Sequence, residues 1–212
     1  MILAPKVYSQ GYIKELFYFD MEYVNGIKFN DFIKNNSFIY VKSHFLQLIT
    51  FILNNFKNEN KNFEDIILDK INHIAKTNLI DNQIIETMKI NSKKDIPTGY
   101  CHGDFTFENI LLSNNRIYLI DFLDSFIDSP ILDLSKLFQE FDLNWSNRNS
   151  KSNFSTIIKN HFLKVFMLEC FSNHIKDFST LNLQRKLTLM RILPYSTDLK
   201  LKLKLINLIN KN

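Results

Sequence analysis

Between residues 38 and 57, the segment FIYVKSHFLQLITFILNNFK places apolar side chains at 41, 45, 48, 49, 52, 53 and 56, the spacing of one helix face. It predicts a core-facing helix. NFEDIILDKINHIAKT and DNQIIETMKIN repeat the period and predict two more. ILDLSKLFQEF predicts another, started by Ser129 as a capping hydroxyl and Pro130 at the first helical position. Residues 151–212 are mostly helical in pattern, with Ser196 the candidate cap of the last element. Within them LKLKLKL alternates as a strand would and then runs into INLI, which restores helical spacing. Strand signals are fewer. ELFYFDMEYV, residues 15–24, is aromatic and β-branched, Asn25-Gly26 closes it with a turn, and a short helix follows from Asn30. Around Pro97 the period changes. From TGYCHGDF to RIYLIDF, polar residues break short apolar runs, and Ser113, Asn114 and Asn115 between NILL and RIYLI predict a small hairpin flanked by loops. No internal repeat interrupts this order.

Composition narrows the classes. With 212 residues, 45% of them hydrophobic, the chain has enough apolar surface for a sizeable core and fits one domain or one and a half. No apolar run approaches the roughly 20 residues that cross a bilayer, and MILAPKVYSQ lacks the layout of a signal peptide. The expectation is a soluble cytoplasmic protein without a membrane partner. Cys101 and Cys170 stand far apart with no metal-binding spacing and read as core thiols. Charge is uneven: residues 1–134 hold 13 basic against 17 acidic side chains, residues 135–212 hold 13 against 5. In that basic tail the lysines are dispersed between apolar residues, as on a solvated helix face, and no nucleic-acid partner is expected.

The candidate chemistry lies in CHGDFTFEN, residues 101–109, and in the aspartate of IDF, twelve residues after Asn109. A loop is bound to no helical or strand period, so a carboxylate and an amide five positions apart can converge on it. Asp104 could accept a proton or orient a hydroxyl, and the side-chain oxygen of Asn109 is a neutral metal ligand. Asp121 ends the apolar run IYLI and so projects at the mouth of the core. Hard oxygen ligands of this kind suit Mg²⁺ shared with phosphate oxygens. One Asp or Asn in a loop is more often a turn-former, but a base, an Asn ligand and an Asp ligand together are three of the parts phosphoryl transfer requires.

HGDFTFEN, then IDF, then DSPILDLSKL resembles the signature of the aminoglycoside phosphotransferase and choline kinase superfamily, kinases of small-molecule hydroxyls on a protein-kinase-like fold. His102, Gly103, Asp104, Asn109, Asp121, Asp128, Pro130 and Asp133 fill it in order. The resemblance implies Asp104 as catalytic base, Asn109 and Asp121 as holders of Mg²⁺, and His102 and Asp133 as braces behind the loop. FYFDMEYVNGIKFNDFI is similar to the family's hinge. It would place Met21 behind the adenine, with backbone groups of Glu22 and Val24 on the adenine edge of ATP. The implied architecture is α+β and mainly α-helical: a protein-kinase-like C-terminal lobe over residues 27–212, with catalytic and metal loops at 96–134 and a small hairpin at the catalytic loop. Residues 1–26 would be a remnant of the N-terminal lobe's strands and the hinge.

Kinases of this class also cover the ATP phosphates with a glycine-rich loop and hold them with a strand Lys paired to a helix Glu. No glycine-rich loop precedes Asn25, and Lys6 and Lys14 lack such a partner. APKVYS resembles the strand before the hinge strand, so the pattern is entered partway. A frame that begins partway, a piece of a longer kinase and a lone large lobe with a binding role are all compatible with this, as is a partner chain that supplies the lobe. The leading expectation is an ATP- and Mg²⁺-dependent kinase of a small hydroxyl compound, a sugar or a choline-like alcohol, active when an N-terminal lobe is present. The basic tail does not favour a polycationic acceptor, and an uncharged sugar fits better. Asp142 and Trp145 follow the DLSKL helix and could lie near a substrate mouth, but a core role is the leading expectation for the Trp. The competing reading is a non-catalytic, pseudokinase-like module.

Overall fold

The structure is a computed structural model that describes residues 1–150, 153–172 and 178–210. Short strands gather near the N-terminus: β1 (Ile2–Leu3), β2 (Val7–Ile13), β3 (Leu16–Met21) and β4 (Ile27–Lys28). β2 and β3 form an antiparallel ribbon of their own, turned by Lys14 and Glu15 at positive φ. Tyr8, Tyr12, Phe17 and Phe19 stand exposed on it. β1 and β4 instead join the interior hairpin.

The helical body begins with α1 (Phe29–Asn35) and α2 (Phe38–Asn54). Ser37 caps α2 by accepting from the Tyr40 amide. Val41, Phe45, Leu48, Ile49 and Ile52 on the predicted face are fully buried. At about 2 kcal/mol each, that burial is on the order of 10 kcal/mol before ordering entropy is set against it. The helix stops three residues earlier than its periodicity predicts. From Phe56 the sequence FKNENK is almost wholly polar, has no face to bury, and forms β5 (Phe56–Lys61) on the edge of β6 (Ile96–Gly99). Between them lie α3 (Glu64–Ala75) and α4 (Asn82–Ser92), both as read from the period.

The predicted hairpin is β7 (Ile110–Ser113) and β8 (Arg116–Leu119), turned by Asn114 and Asn115, both left-handed at φ 49 and 58. Asn tolerates that region better than most residues, which is why the pair serves as a two-residue turn. The hairpin is the centre of a four-stranded sheet in the order β1-β8-β7-β4, with β1 parallel to β8 and β4 antiparallel to β7. α5 (Ile131–Leu143) follows, then α6 (Phe154–Ser172), α7 (Phe178–Ile192) and α8 (Leu199–Asn210). The ambiguous LKLKLKL is helical. Leu205 and Ile209, one turn apart, are the buried pair that decides it. The cap of α8 is Asp198, whose carboxylate accepts from the Lys200 amide at 2.9 Å, rather than Ser196. The carboxylate also suits the positive end of the helix.

The α+β, mainly helical architecture expected from the sequence is thus observed. One continuous core runs through it. Below the loop at 101–109, Phe29, Phe45, Phe107 and Phe141 form a ring of contacts with centroids 5.1 to 6.3 Å apart.

Candidate active site

The segment CHGDFTFEN is held from below by its own aromatics. Phe105 and Phe107 are buried, one stacked on Phe51 and the other inside the ring of four phenylalanines. Asp104 and Asn109 are left partly exposed at the surface of the loop. The apolar plugs fix the backbone, so the polar side chains between them have few positions to choose from.

A second support comes from α5. Asp133, Lys136 and Glu140 recur at three and four residues, the spacing of one helix face, and all three bond to the loop. The Asp133 oxygens accept from the amides of His102 at 2.8 Å and Gly103 at 2.9 Å. Lys136 Nζ lies 2.9 Å from Asp104 Oδ1. Glu140 accepts from the Phe107 amide at 2.9 Å and from the amide and hydroxyl of Ser146. Two buried carboxylates and an ammonium thus hold the loop at successive points. Burial pushes the Asp133 carboxyl up to about 7 against the lowering effect of its two amide donors, and burial also raises that of Glu140.

His102 is almost fully buried, with both ring nitrogens committed. Its Nε2 lies 2.8 Å from the Ile120 carbonyl, which can only accept, so that nitrogen carries the proton, and Nδ1 accepts from the Asp104 amide at 3.2 Å. Burial lowers its basicity further, although Asp104 and Asp121 partly counter this. The imidazole is therefore a neutral strut between the two segments. At Gly103, φ is +85, and a Cβ would meet Ser125 Oγ at 2.5 Å and Leu123 O at 2.6 Å, so only glycine fits there.

Asn109 donates from Nδ2 to both the carbonyl and Oδ2 of Asp104, at 2.9 and 3.0 Å. That orientation leaves its Oδ1 without a protein partner among the described residues. Asp121 follows immediately on the backbone bond from Ile120 to the Asn109 carbonyl, at 3.0 Å. It is exposed, sits at φ +62 and makes no ion pair among the described residues. The structure therefore joins Asp104 to Asn109 directly and brings Asp121 to the neighbouring strand end. No three His, Cys, Asp or Glu side chains converge as a metal cage among the described residues.

Other expected positions fall differently. The Glu22 amide donates to the Lys6 carbonyl at 2.8 Å, so its N–H is already committed beside the ribbon. Val24 is half-buried in the connection to β4, and Met21 is exposed on the ribbon. Asp142 is not at a substrate mouth: it is buried between Lys164 and Arg185, tying α5 to α6 and α7. Trp145 is half-buried under the Arg148 guanidinium, 4.3 Å from its ring. Lys136 and Glu140 escaped sequence reasoning, although their spacing from Asp133 was the available signal.

Comparison with known proteins follows the same lines. Residues 69–152 match the model of the phosphotransferase enzyme family. Among solved structures the chain is similar to a glucosamine kinase, with a TM-score of 0.57 and 10% identity over 97% of this chain and 64% of that one. It is also similar to a glucosamine kinase in complex with glucosamine, ADP and inorganic phosphate, with a TM-score of 0.51 and 11% identity over 97% and 62%. Likeness at such identity shows the fold, and the chain spans less than two thirds of the length of either structure. No curated protein sequence matches.

Proposed function

We propose that this chain, whose fold and central segment match the aminoglycoside phosphotransferase superfamily, transfers the γ-phosphoryl group of ATP to a hydroxyl of a small molecule. The observation that carries the reading is Asp104, fixed between Lys136 and Asn109 on a loop pinned at three points by α5. In this reading the acceptor O–H gives its proton to Asp104 while the oxygen's electron pair forms a bond to the γ-phosphorus. The bond to the bridging oxygen breaks, and that oxygen leaves with ADP. Lys136, 2.9 Å from the carboxylate, orients it and lies beside the charge that shifts during transfer.

The donor set fits Mg²⁺: an amide oxygen without a protein partner on Asn109 and an exposed carboxylate on Asp121, with water and phosphate oxygens completing the shell. When bound, the ion supplies neutralisation of phosphate charge. In this reading Glu22 and Val24 offer backbone groups to the adenine, and His102 and Asp133 keep the loop in place.

The test is ADP formation with Mg-ATP and a panel of small alcohols, beside calorimetric binding of the nucleotide. Asp104→Asn is expected to lower turnover by about 10²–10⁴-fold while nucleotide binding persists. Asp121→Ala should weaken Mg-nucleotide binding about tenfold, the size of one charge-assisted contact. A chain that binds no nucleotide at millimolar Mg-ATP would instead support a non-catalytic module. The exposed aromatic ribbon of β2 and β3, a surface suited to a partner, is the feature that favours that second reading.

A further inference from the structure

Beside Asp104 lies a cavity of about 220 Å³, walled by four parts of the chain: α3, the catalytic loop with the segment at 123–126, α5 and α7. Gly103 forms part of its wall, and so does Lys136, whose ammonium touches Asp104. A hydroxyl held at this end of the cavity lies beside Gly103 and Lys136, the chain neighbour and the ion-pair partner of the proposed base. The remaining charges are unbalanced. Lys70 enters from α3 and Arg191 from α7, and only Asp124 among the lining side chains is acidic. Lys136 is matched by Asp104, but neither Lys70 nor Arg191 has an ion-pair partner among the described residues. Lys70 lies only over the ring of Phe126, 5.9 Å from its centroid.

Two lysines or arginines on one helix face would read as ordinary solvation. Here the cations come from helices more than a hundred residues apart and meet in one concavity, with the paired hydroxyls of Ser135 and Thr188, 2.9 Å apart, in its wall. An ammonium-bearing acceptor placed between them would be repelled. A polycation of several rings is also too large, since pockets for drug-sized ligands run to about 300–1,000 Å³. We infer that this cavity is an acceptor site for a small hydroxyl compound that carries an anionic group, a phosphate or a carboxylate, at the end opposite the reacting hydroxyl. The inference rests on the phosphotransferase reading above and replaces the uncharged acceptor expected from overall charge.

Calorimetric titration of the chain with glycerol 3-phosphate, glycerate, glycerol and ethanolamine tests it. The two anions should bind, the stronger naming the group, and the neutral and cationic alcohols should not. Lys70→Gln and Arg191→Gln, both away from the core, should each weaken anion binding about tenfold, with the double variant weaker still. Added magnesium with a non-hydrolysable ATP analogue should leave the anion bound. Unchanged affinity in the variants, preference for glycerol or ethanolamine, absence of anion binding, or displacement by the nucleotide analogue would each overturn the inference. ATP-dependent transfer to a neutral alcohol without anion binding would leave the phosphotransferase reading standing and remove this one. Anion binding without nucleotide binding would remove the phosphotransferase reading and, with it, the acceptor role inferred for this cavity.

Discussion

Asp133 is a fully buried carboxyl whose two oxygens face two backbone amides, and burial nevertheless outweighs them and holds its pKa near 7. Because that value lies above the ordinary 3.8, the folded chain keeps a proton that the unfolded chain has already lost. The resulting contribution to stability is whole below about pH 4 and is lost as the pH rises through about 7. Melting temperatures measured between pH 4 and 8 should therefore fall more steeply with pH in the unmutated chain than in Asp133→Asn, which has nothing to titrate there. Parallel curves would show that the amides, rather than burial, govern this carboxyl. At this scale the sequence was informative where a residue type has one use. Asp104 and Asn109 could be singled out because their spacing matched a known chemistry, and Gly103 as a position of the same motif, although only the structure shows that no side chain fits there. The commitment of both His102 nitrogens was not legible, since it depends on a carbonyl eighteen residues away.

Among elements, α5 does the most to position the site, and its start is the most exposed to mutation. Ser129 Oγ donates to the Pro97 carbonyl at 2.6 Å and accepts from the Ile131 amide at 3.3 Å, so one hydroxyl ties the first residue of the helix to β6, while Pro130 stands at the cap position. Ser129→Ala should cost about 1–2 kcal/mol, since the Pro97 carbonyl and the Ile131 amide both lose the hydroxyl. For a chain of this size that is a drop of roughly 2–4 °C in Tm per kcal/mol, readable by calorimetry. An unchanged Tm would mean that a water replaces the hydroxyl at no cost. The Ser-Pro start of this helix was legible to within one residue, since Pro130 takes the cap position expected of Ser129 and Ile131 opens the helix. β5 was not, since FKNENK has no alternation and no apolar residue after Phe56, and it becomes a strand only because β6 presents an edge to it. The stripe of Asp133, Lys136 and Glu140 lies between these cases. Its period is plain, but only the docked loop shows that the stripe faces inward.

Across the whole molecule, Asp142 joins three helices through Lys164 and Arg185, with its own side chain only 5% exposed and its partners 30% and 28%. Removing it strands two cations. Asp142→Ala should cost about 2–4 kcal/mol, less than a fully buried pair because the cations keep some water. The exposed pair Asp31–Lys34 is the control, and Asp31→Ala should cost about 0.5 kcal/mol or less. Equal losses in urea unfolding would contradict this ordering. The long-range architecture was the least legible part of the sequence, and β1 is the clearest case. Its two residues, Ile2 and Leu3, carry no strand pattern worth reading, yet they lie parallel to Ile117 and Tyr118 at the edge of the β7–β8 hairpin.

That pairing sets an order of events during synthesis. A ribosome adding about 5–20 residues per second needs on the order of ten seconds to travel from Ile2 to Ile117. Until then the first strand has emerged without its template, beside an aromatic ribbon that shields little of itself, and the nascent chain must be kept from sticking elsewhere. A slower decoding stretch before residue 117 would lengthen this vulnerable interval and lower the yield of folded protein.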